Sequence, residues 1–243
     1  MRVKKIFNGV FAVIVLVSIW WLASVILQKK LLPTPWIVLQ RLPELISTSM
    51  LLHLKASFYR VVLGLFFSIL GGFTLGLMIG SFPDQPFFDA IVYLIYPIPK
   101  MALLPIVMLL GGLGDRSKIL MIVLIVLPQM TISVRDAIRE IPHNYYDVYQ
   151  CLRASRWRKF FHITFPATLP AIFSGTRVSL GTAISILFFT ENYGTQYGMG
   201  YFIMDAWTRM DYSGMYAGIL VLSSFGFLLF IGMDTFANLL FKW

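Results

Sequence analysis

The sequence is poor in charge, in acid and in cysteine. Of 243 residues, only 13% are Asp, Glu, Lys or Arg, whereas 58% are hydrophobic; an average soluble domain carries about 25% charged residues. A water-soluble fold with this composition would expose much apolar surface, which invites aggregation. A disordered chain is excluded more firmly, because such chains lack hydrophobic residues. The single cysteine, Cys151, rules out an intrachain disulfide and any multi-cysteine metal site. His53, His143 and His162 lie far apart without ligand spacing, so no metal centre is expected. No phosphate loop of the form G-x-x-x-x-G-K-[ST] occurs, and neither does H-E-x-x-H or G-x-S-x-G. The chain is therefore read as a non-enzyme that binds no nucleotide by itself. Asp136 and Glu140 are read as a solvated helix end rather than a catalytic carboxylate pair. The 11 acidic residues stand against 20 Lys and Arg, a net charge of +9. Such an excess suits nucleic acid or an anionic membrane surface. Nucleic-acid binders carry it on a polar surface, which this chain barely has. An all-α integral membrane protein is the expected class.

A helix crossing a membrane needs about 20 mostly apolar residues. Six stretches qualify, at 7–27, 58–80, 87–112, 119–134, 171–189 and 215–241. The first follows Arg2, Lys4 and Lys5, a layout that also fits a signal peptide; its apolar run exceeds the roughly 7–15 residues of such a leader, so an uncleaved span is expected. One transmembrane domain, 1–243, accounts for the whole chain. The connection 28–57 contains Pro33, Pro35 and Pro43 and the apolar series Trp36, Val38, Leu39, Leu42, Leu45 and Ile46. That pattern predicts a short helix at the outer interface. With the N-terminus cytoplasmic, ten Lys and Arg fall on inner segments and eight on outer ones. The inner cations are concentrated, and both termini are expected in the cytoplasm.

Three features bear on mechanism. The second span carries Gly64, Ser68, Gly72, Gly76 and Gly80, each four residues apart, on one helical face. Small residues there let another helix approach closely, within the bundle or from a second copy. The third span holds Pro97, Pro99 and Pro105, which remove backbone donors, with Lys100 among them near mid-membrane. A cation at that depth faces a water-filled path or a partner. It can also snorkel from a shallow segment. The segment 135–170 opens with Arg135, Asp136, Arg139 and Glu140, where Asp136–Arg139 is the face-sharing pair. Pro142 suits a helix's first turn. Tyr145, Tyr146 and Tyr149 follow, then Arg153, Arg156, Trp157, Arg158, Lys159, Phe160 and Phe161. Two short helices lying across the inner face are expected, able to bind anionic lipid headgroups or a cytoplasmic partner.

The run from Asp147 to Arg177 resembles the signature loop of bacterial ABC importer permeases. That signature reads approximately E-A-A-x-x-x-G-A-S, a basic-aromatic stretch, then L-P-A-x-L-P-x-I-x-x-G-x-R. Pro166, Pro170, Gly175 and Arg177 match its last part, and Ala154 follows the position of its glycine. Leu-Pro-Thr-Pro at 32–35, Ala56-Ser57 with Arg60 and Gly64, the run Pro99 to Pro105, and Gly198-Met-Gly-Tyr201 resemble the nitrate/sulfonate/taurine/bicarbonate branch. Two departures stand out: Asp147-Val148-Tyr149 replaces the opening E-A-A, and Arg153 replaces the glycine. A non-glycine residue pays roughly 1–2 kcal/mol in a left-handed turn, so the turn at Arg153 is expected to be built differently.

The resemblance implies a six-span type I permease fold with a cytoplasmic coupling loop at 135–170. It implies a homodimer lining a path for a small anionic solute, two separate ATPase subunits that hold ATP and magnesium, and an external substrate-binding protein. The location implied is the bacterial inner membrane. Tyr145, Asp147, Tyr149, Arg153, Ala154, Arg156, Trp157, Phe160 and Pro166 would meet the ATPase. Lys100 and Arg177 would face the path, Arg177 alternatively pairing with Asp234, and Glu191 would cap or gate the outer mouth. A secondary transporter or channel working without an ATPase is the alternative. That class more often shows internal repeats with paired broken helices, and no convincing repeat is present.

Overall fold

The computed structural model describes residues 2–28, 30–81, 86–95 and 97–240, all helix and connection with no strand among them. The chain divides into two compact units, 1–56 with 196–224 and 57–195 with 225–243.

The first unit contains α1 (Arg2–Leu27), α2 (Pro35–Leu45) and α10 (Met199–Thr208). It also takes in the beginnings of α3 (Leu51–Ser81) and α11 (Tyr212–Leu240). Pro35 starts α2, where a missing N–H costs nothing. A helix is thus present where a short one was expected, but a π turn over Ile46–Met50 runs it directly into α3. The 28–34 turn is tied to α1 by Trp20 Nε1 donating to Pro33 O at 3.1 Å and Ser24 Oγ donating to Leu32 O at 2.8 Å. Asp211 caps α11 by accepting from Gly214 N–H and the Ser213 hydroxyl. Burial works against its charge, but these bonds and the Arg41 guanidinium outweigh it and hold the carboxyl below the ordinary Asp range.

The second unit is built around α6 (Asp115–Arg139), whose buried positions, among them Met121, Ile122, Val126, Met130 and Val134, recur at helical spacing. The small-residue face of α3 packs on it. A Cβ at Gly64 would lie 2.6 Å from Ile122, at Gly76 2.8 Å from Thr131 O and at Gly80 2.9 Å from Ile138, and one at Gly72 would run into Met130. Ser68, fully buried, donates to Gly64 O. α9 (Phe165–Glu191) packs on α6 through Leu180, Ala183 and Leu187, with Val61, Leu65 and Val107 completing the core.

The third expected span is two pieces. α4 (Pro86–Ile95) stops before Pro97 and Pro99, and a 3-10 turn over Lys100–Leu103 leads into α5 (Leu104–Gly111). Pro105 does not break anything: it sits in the first turn of α5. Four helical stretches, Pro35–Ser81, Asp115–Arg139, Arg156–Glu191 and Tyr212–Leu239, are long and apolar enough to cross a membrane; Phe11–Leu27 and Lys100–Gly111 are shorter apolar helices. Exposed Phe66, Phe67, Leu109, Leu110, Phe227 and Leu228 give these helices the apolar outer surface that hydrocarbon demands.

Candidate functional site

Between α6 and α9 the chain forms a compact connector, and most of the sequence-derived site residues lie on it. α7 (His143–Cys151) begins after Pro142, which is the cap residue rather than the first helical one. α8 (Arg156–Lys159) is not an independent helix, contrary to the expected pair. A π turn over Phe160–Thr164 joins it to α9, so Arg156–Glu191 is one helical stretch. The reason is packing: Phe160 meets Phe165 at a tilt and Phe161 meets it edge-on, and Phe165 meets Phe73 of α3 edge-on at 6.0 Å. The expected Asp136–Arg139 pairing is also revised. Asp136 accepts from its neighbour Arg135, at 2.8 Å.

The turn between α7 and α8 corrects the sequence expectation. Arg153 does adopt the left-handed conformation, with φ 51°. Its N–H donates to Gln150 O and the Ala154 N–H donates to Tyr149 O, both at 2.9 Å. This is the paired closure of a helix end usually completed by glycine. The two hydrogen bonds satisfy carbonyls that would otherwise be orphaned, and they hold Arg153 in place against its steric preference.

The connector side chains sort into two sets. Tyr146 bonds Thr164 Oγ1 through its hydroxyl at 2.9 Å, and the Tyr149 ring lies 6.2 Å from that of His162. With half-buried Phe160 and with Pro166 in the first turn of α9, they fasten the connector to the bundle. The adjoining face is apolar and open. Tyr145, Val148 and Leu152, at i, i+3 and i+7, are 58%, 59% and 71% exposed, and Trp157 is 73% exposed. Val148 and Leu152 were not among the sequence candidates, although their spacing from Tyr145 marks one helix face. Asp147, Arg153 and Arg156 are exposed beside this ridge.

The proposed path residues are dispersed. Arg177 pairs with Asp234 of α11, the alternative that the sequence allowed. Lys100 opens the 3-10 turn and is half-buried. Glu191 is fully buried at the far end of α9 from the connector. There it joins a charge cluster that sequence reasoning did not assemble. Arg60 Nη1 donates to Glu191 Oε1 at 2.6 Å, and Ser57 Oγ lies 2.9 Å from both carboxylate oxygens. Arg60 also pairs with Asp115 at 2.6 Å. Lys118, equally buried, donates to Leu113 O at 2.6 Å. Two cations and two carboxylates thus satisfy one another and nearby carbonyls where α3, α6 and α9 converge. An unpaired charge buried there would be strongly destabilising. The available signal was Arg60, a cation three residues into an expected apolar span.

Residues 61–242 match the family described as binding-protein-dependent transport system inner membrane component. The chain is 29% identical over 238 residues to the taurine transport system permease protein of Escherichia coli, covering 94% of this chain and 86% of that one. It is 29% identical over 234 residues to the formylaminopyrimidine transport permease protein of Halalkalibacterium halodurans, covering 95% and 93%. Among solved structures, a chain of a bacterial ABC transporter involved in import of the acidic polysaccharide alginate superposes with TM-score 0.70 at 17% identity, covering 98% of this chain and 99% of that one. The apolar helices, the connector between α6 and α9, and a family match over most of the length place this chain among the binding-protein-dependent transport system inner membrane components, the permease subunits of ABC importers.

Proposed function

We propose that two copies of this chain form the membrane path of an ATP-driven importer. In this reading the α7–α8 connector docks on cytoplasmic ATPase subunits, and an external binding protein delivers a small solute bearing an oxyanion. ATP and magnesium would be held by the ATPase, since this chain has no phosphate loop. The observation carrying the reading is the exposed ridge of Tyr145, Val148 and Leu152 along α7, a helix otherwise fastened to the π turn that leads into α9, with Trp157 of α8 exposed as well. Exposed aromatic and aliphatic anchors on a rigid element are what a partner's groove takes up. A connector stiffened by Tyr146–Thr164 would transmit the partner's movement to α6 and α9 rather than absorb it. The pair Arg177–Asp234 brings the last third of α11 beside the connector-proximal half of α9. That arrangement supports a C-terminus on the ATPase side, hence in the cytoplasm, and with six spans an N-terminus there too. The oxyanion class rests on the motif resemblance and on the taurine-transporting relative.

The test is transport-coupled ATP hydrolysis in membrane vesicles carrying the chain and its ATPase. Changing Tyr145, Val148 and Leu152 together to Ala is expected to lower coupled hydrolysis about tenfold or more, the scale of losing a hot-spot cluster, while permease levels stay normal. Undiminished coupling would overturn the docking role.

A further inference from the structure

A cavity of about 760 Å³ lies in the second unit, where the connector meets the ends of α3 and α6. Its size is within the ~300–1,000 Å³ typical of small-molecule sites. Ser81 closes α3 on one wall and Arg139 closes α6 on another. The third wall is α7, which presents two faces. Tyr145, Val148 and Leu152 form the open ridge, whereas His143, Tyr146, Asp147 and Gln150, at i, i+3, i+4 and i+7, line the cavity. This second face is polar and braced. The Tyr146 hydroxyl is bonded to Thr164 Oγ1, itself a lining residue, and the His143 ring stands edge-on to that of Tyr146 at 6.5 Å. Docking through the ridge leaves the cavity without an occupant.

The charges of the lining are sorted along α7. Arg139, the last residue of α6, and His143, the first of α7, stand at one end. The partial positive charge of the helix N-terminus adds to theirs. Asp147 and Gln150 follow along the axis, about 6 and 10 Å beyond His143 at 1.5 Å per residue. A bare phosphate would suit the first end but meet the Asp147 carboxylate, and a simple amine would meet the Arg139 guanidinium. A phosphate diester with a primary ammonium a few ångströms away suits both ends: Arg and His donate to phosphate oxygens, and Asp accepts from the ammonium. Location points to the source. α3 and α6 belong to stretches long and apolar enough to cross a membrane, and the cavity lies at their ends, where hydrocarbon gives way to headgroups. The last two turns of α3 also expose Leu75 and Met78, a surface suited to acyl chains.

We infer that this cavity binds a phosphoethanolamine headgroup, supplied by a phospholipid of the surrounding membrane, with the phosphate held by Arg139 and His143 and the ammonium by Asp147. Seated there, the headgroup fills the space between α7 and the ends of α3 and α6 and holds the ridge at a fixed angle. The site rests on membrane residence alone; only its effect on coupling depends on the importer reading.

The full chain in lipid vesicles provides the test. Cys151→Ser removes the one native thiol of this chain. Ser81→Cys then places a reporter on the cavity wall, and Val148→Cys, on the ridge, is the control. A charged, water-soluble thiol reagent is expected to label both in phosphatidylcholine vesicles, whose quaternary ammonium has no N–H to offer Asp147. Replacing half of that lipid with phosphatidylethanolamine should slow labelling of the Ser81→Cys chain about threefold, as for a ligand at twice its dissociation constant. Labelling of the Val148→Cys chain should not change. Phosphatidylglycerol, an anion without an amine, should give no comparable protection. Arg139→Gln and Asp147→Asn should each abolish the protection and leave the rate in phosphatidylcholine unchanged. Soluble glycerophosphoethanolamine separates the two sources: weak or no protection by it supports the lipid, and protection equal to the lipid's would overturn that source. Equal labelling with and without phosphatidylethanolamine, equal protection by phosphatidylglycerol, or protection surviving both substitutions would overturn the inference. So would protection conferred only by adding the ATPase, which would give the cavity to that partner. Coupled ATP hydrolysis is read separately, so failure of the importer reading is distinguished from failure of the site.

Discussion

Arg153 shows how one residue can take a conformation that its type disfavours. A left-handed φ costs a non-glycine residue roughly 1–2 kcal/mol, and glycine gives back about 0.5–1 kcal/mol through its greater freedom in the unfolded chain. Arg153→Gly is therefore expected to raise stability by up to about 1.5 kcal/mol, read as a small rise in the thermal midpoint of the purified protein. If the exposed guanidinium contributes to docking, coupled ATP hydrolysis falls in the same variant. A lower midpoint would show that the arginine side chain stabilises the turn by more than the strain costs. At the other end of α9, Glu191 answers a fully desolvated Arg60. Removing one partner of such a buried pair costs about 3–5 kcal/mol. Glu191→Ala should lower the thermal midpoint strongly, and adding Arg60→Ala should cost less than the sum of the two single changes. Strict additivity would mean that the two residues do not act as a pair.

At the scale of elements, α6 is the helix on which the second unit depends, because the small-residue face of α3 packs directly on it. The periodicity of Gly64, Ser68, Gly72, Gly76 and Gly80 was legible in the sequence, but not which helix it would meet. The structure gives the face to α6 of the same chain. At Gly76 a Cβ would stand 2.6 Å from Val134 Cβ and 2.8 Å from Thr131 O, and backbone cannot move aside as a flexible side chain can. Overpacking costs typically 1–3 kcal/mol, occasionally more. Gly76→Val is expected to sit at or above the top of that range and to reduce the yield of folded protein. Gly181→Ala on α9, where nothing lies within 4 Å, is the matched control and should leave the yield unchanged. Equal yields from the two variants would refute close packing as the role of the α3 face. The connector teaches the complementary lesson. Its aromatic and basic content was visible in sequence, but the division into fastening residues (Tyr146, Tyr149, Phe160) and an open ridge (Tyr145, Val148, Leu152) depends on how α7 is rotated. Contacts with His162 and Thr164 of the π turn leading into α9 set that rotation.

For the whole molecule, the scarcity of charge acquires a plain meaning. Apolar helices occupy most of the chain, and several of the remaining charges are spent in pairs: Arg60 with Asp115 and Glu191, Arg177 with Asp234, Arg135 with Asp136. In the proposed reading the chain supplies a path and leaves energy input to its partners. Proteoliposomes containing this chain alone are therefore expected to show no solute uptake above background under proton or sodium gradients. Uptake should appear only with the ATPase, ATP and binding protein. Gradient-driven uptake by the chain alone would instead support a secondary transporter.

The sequence by itself determined the class, the number of apolar stretches, the break in the third of them and the family resemblance. Each of these depends on composition and on local spacing, which the linear chain carries in full. Tertiary structure decided what each polar residue meets. Arg60 and Glu191 lie 131 positions apart in the sequence, and Ser81 and Gln150 line one cavity only because the ends of α3 and α6 meet α7. Pairing across such separations depends on the rotation and register of packed helices. Periodicity indicates which face of a helix is apolar, but not which neighbour that face will find.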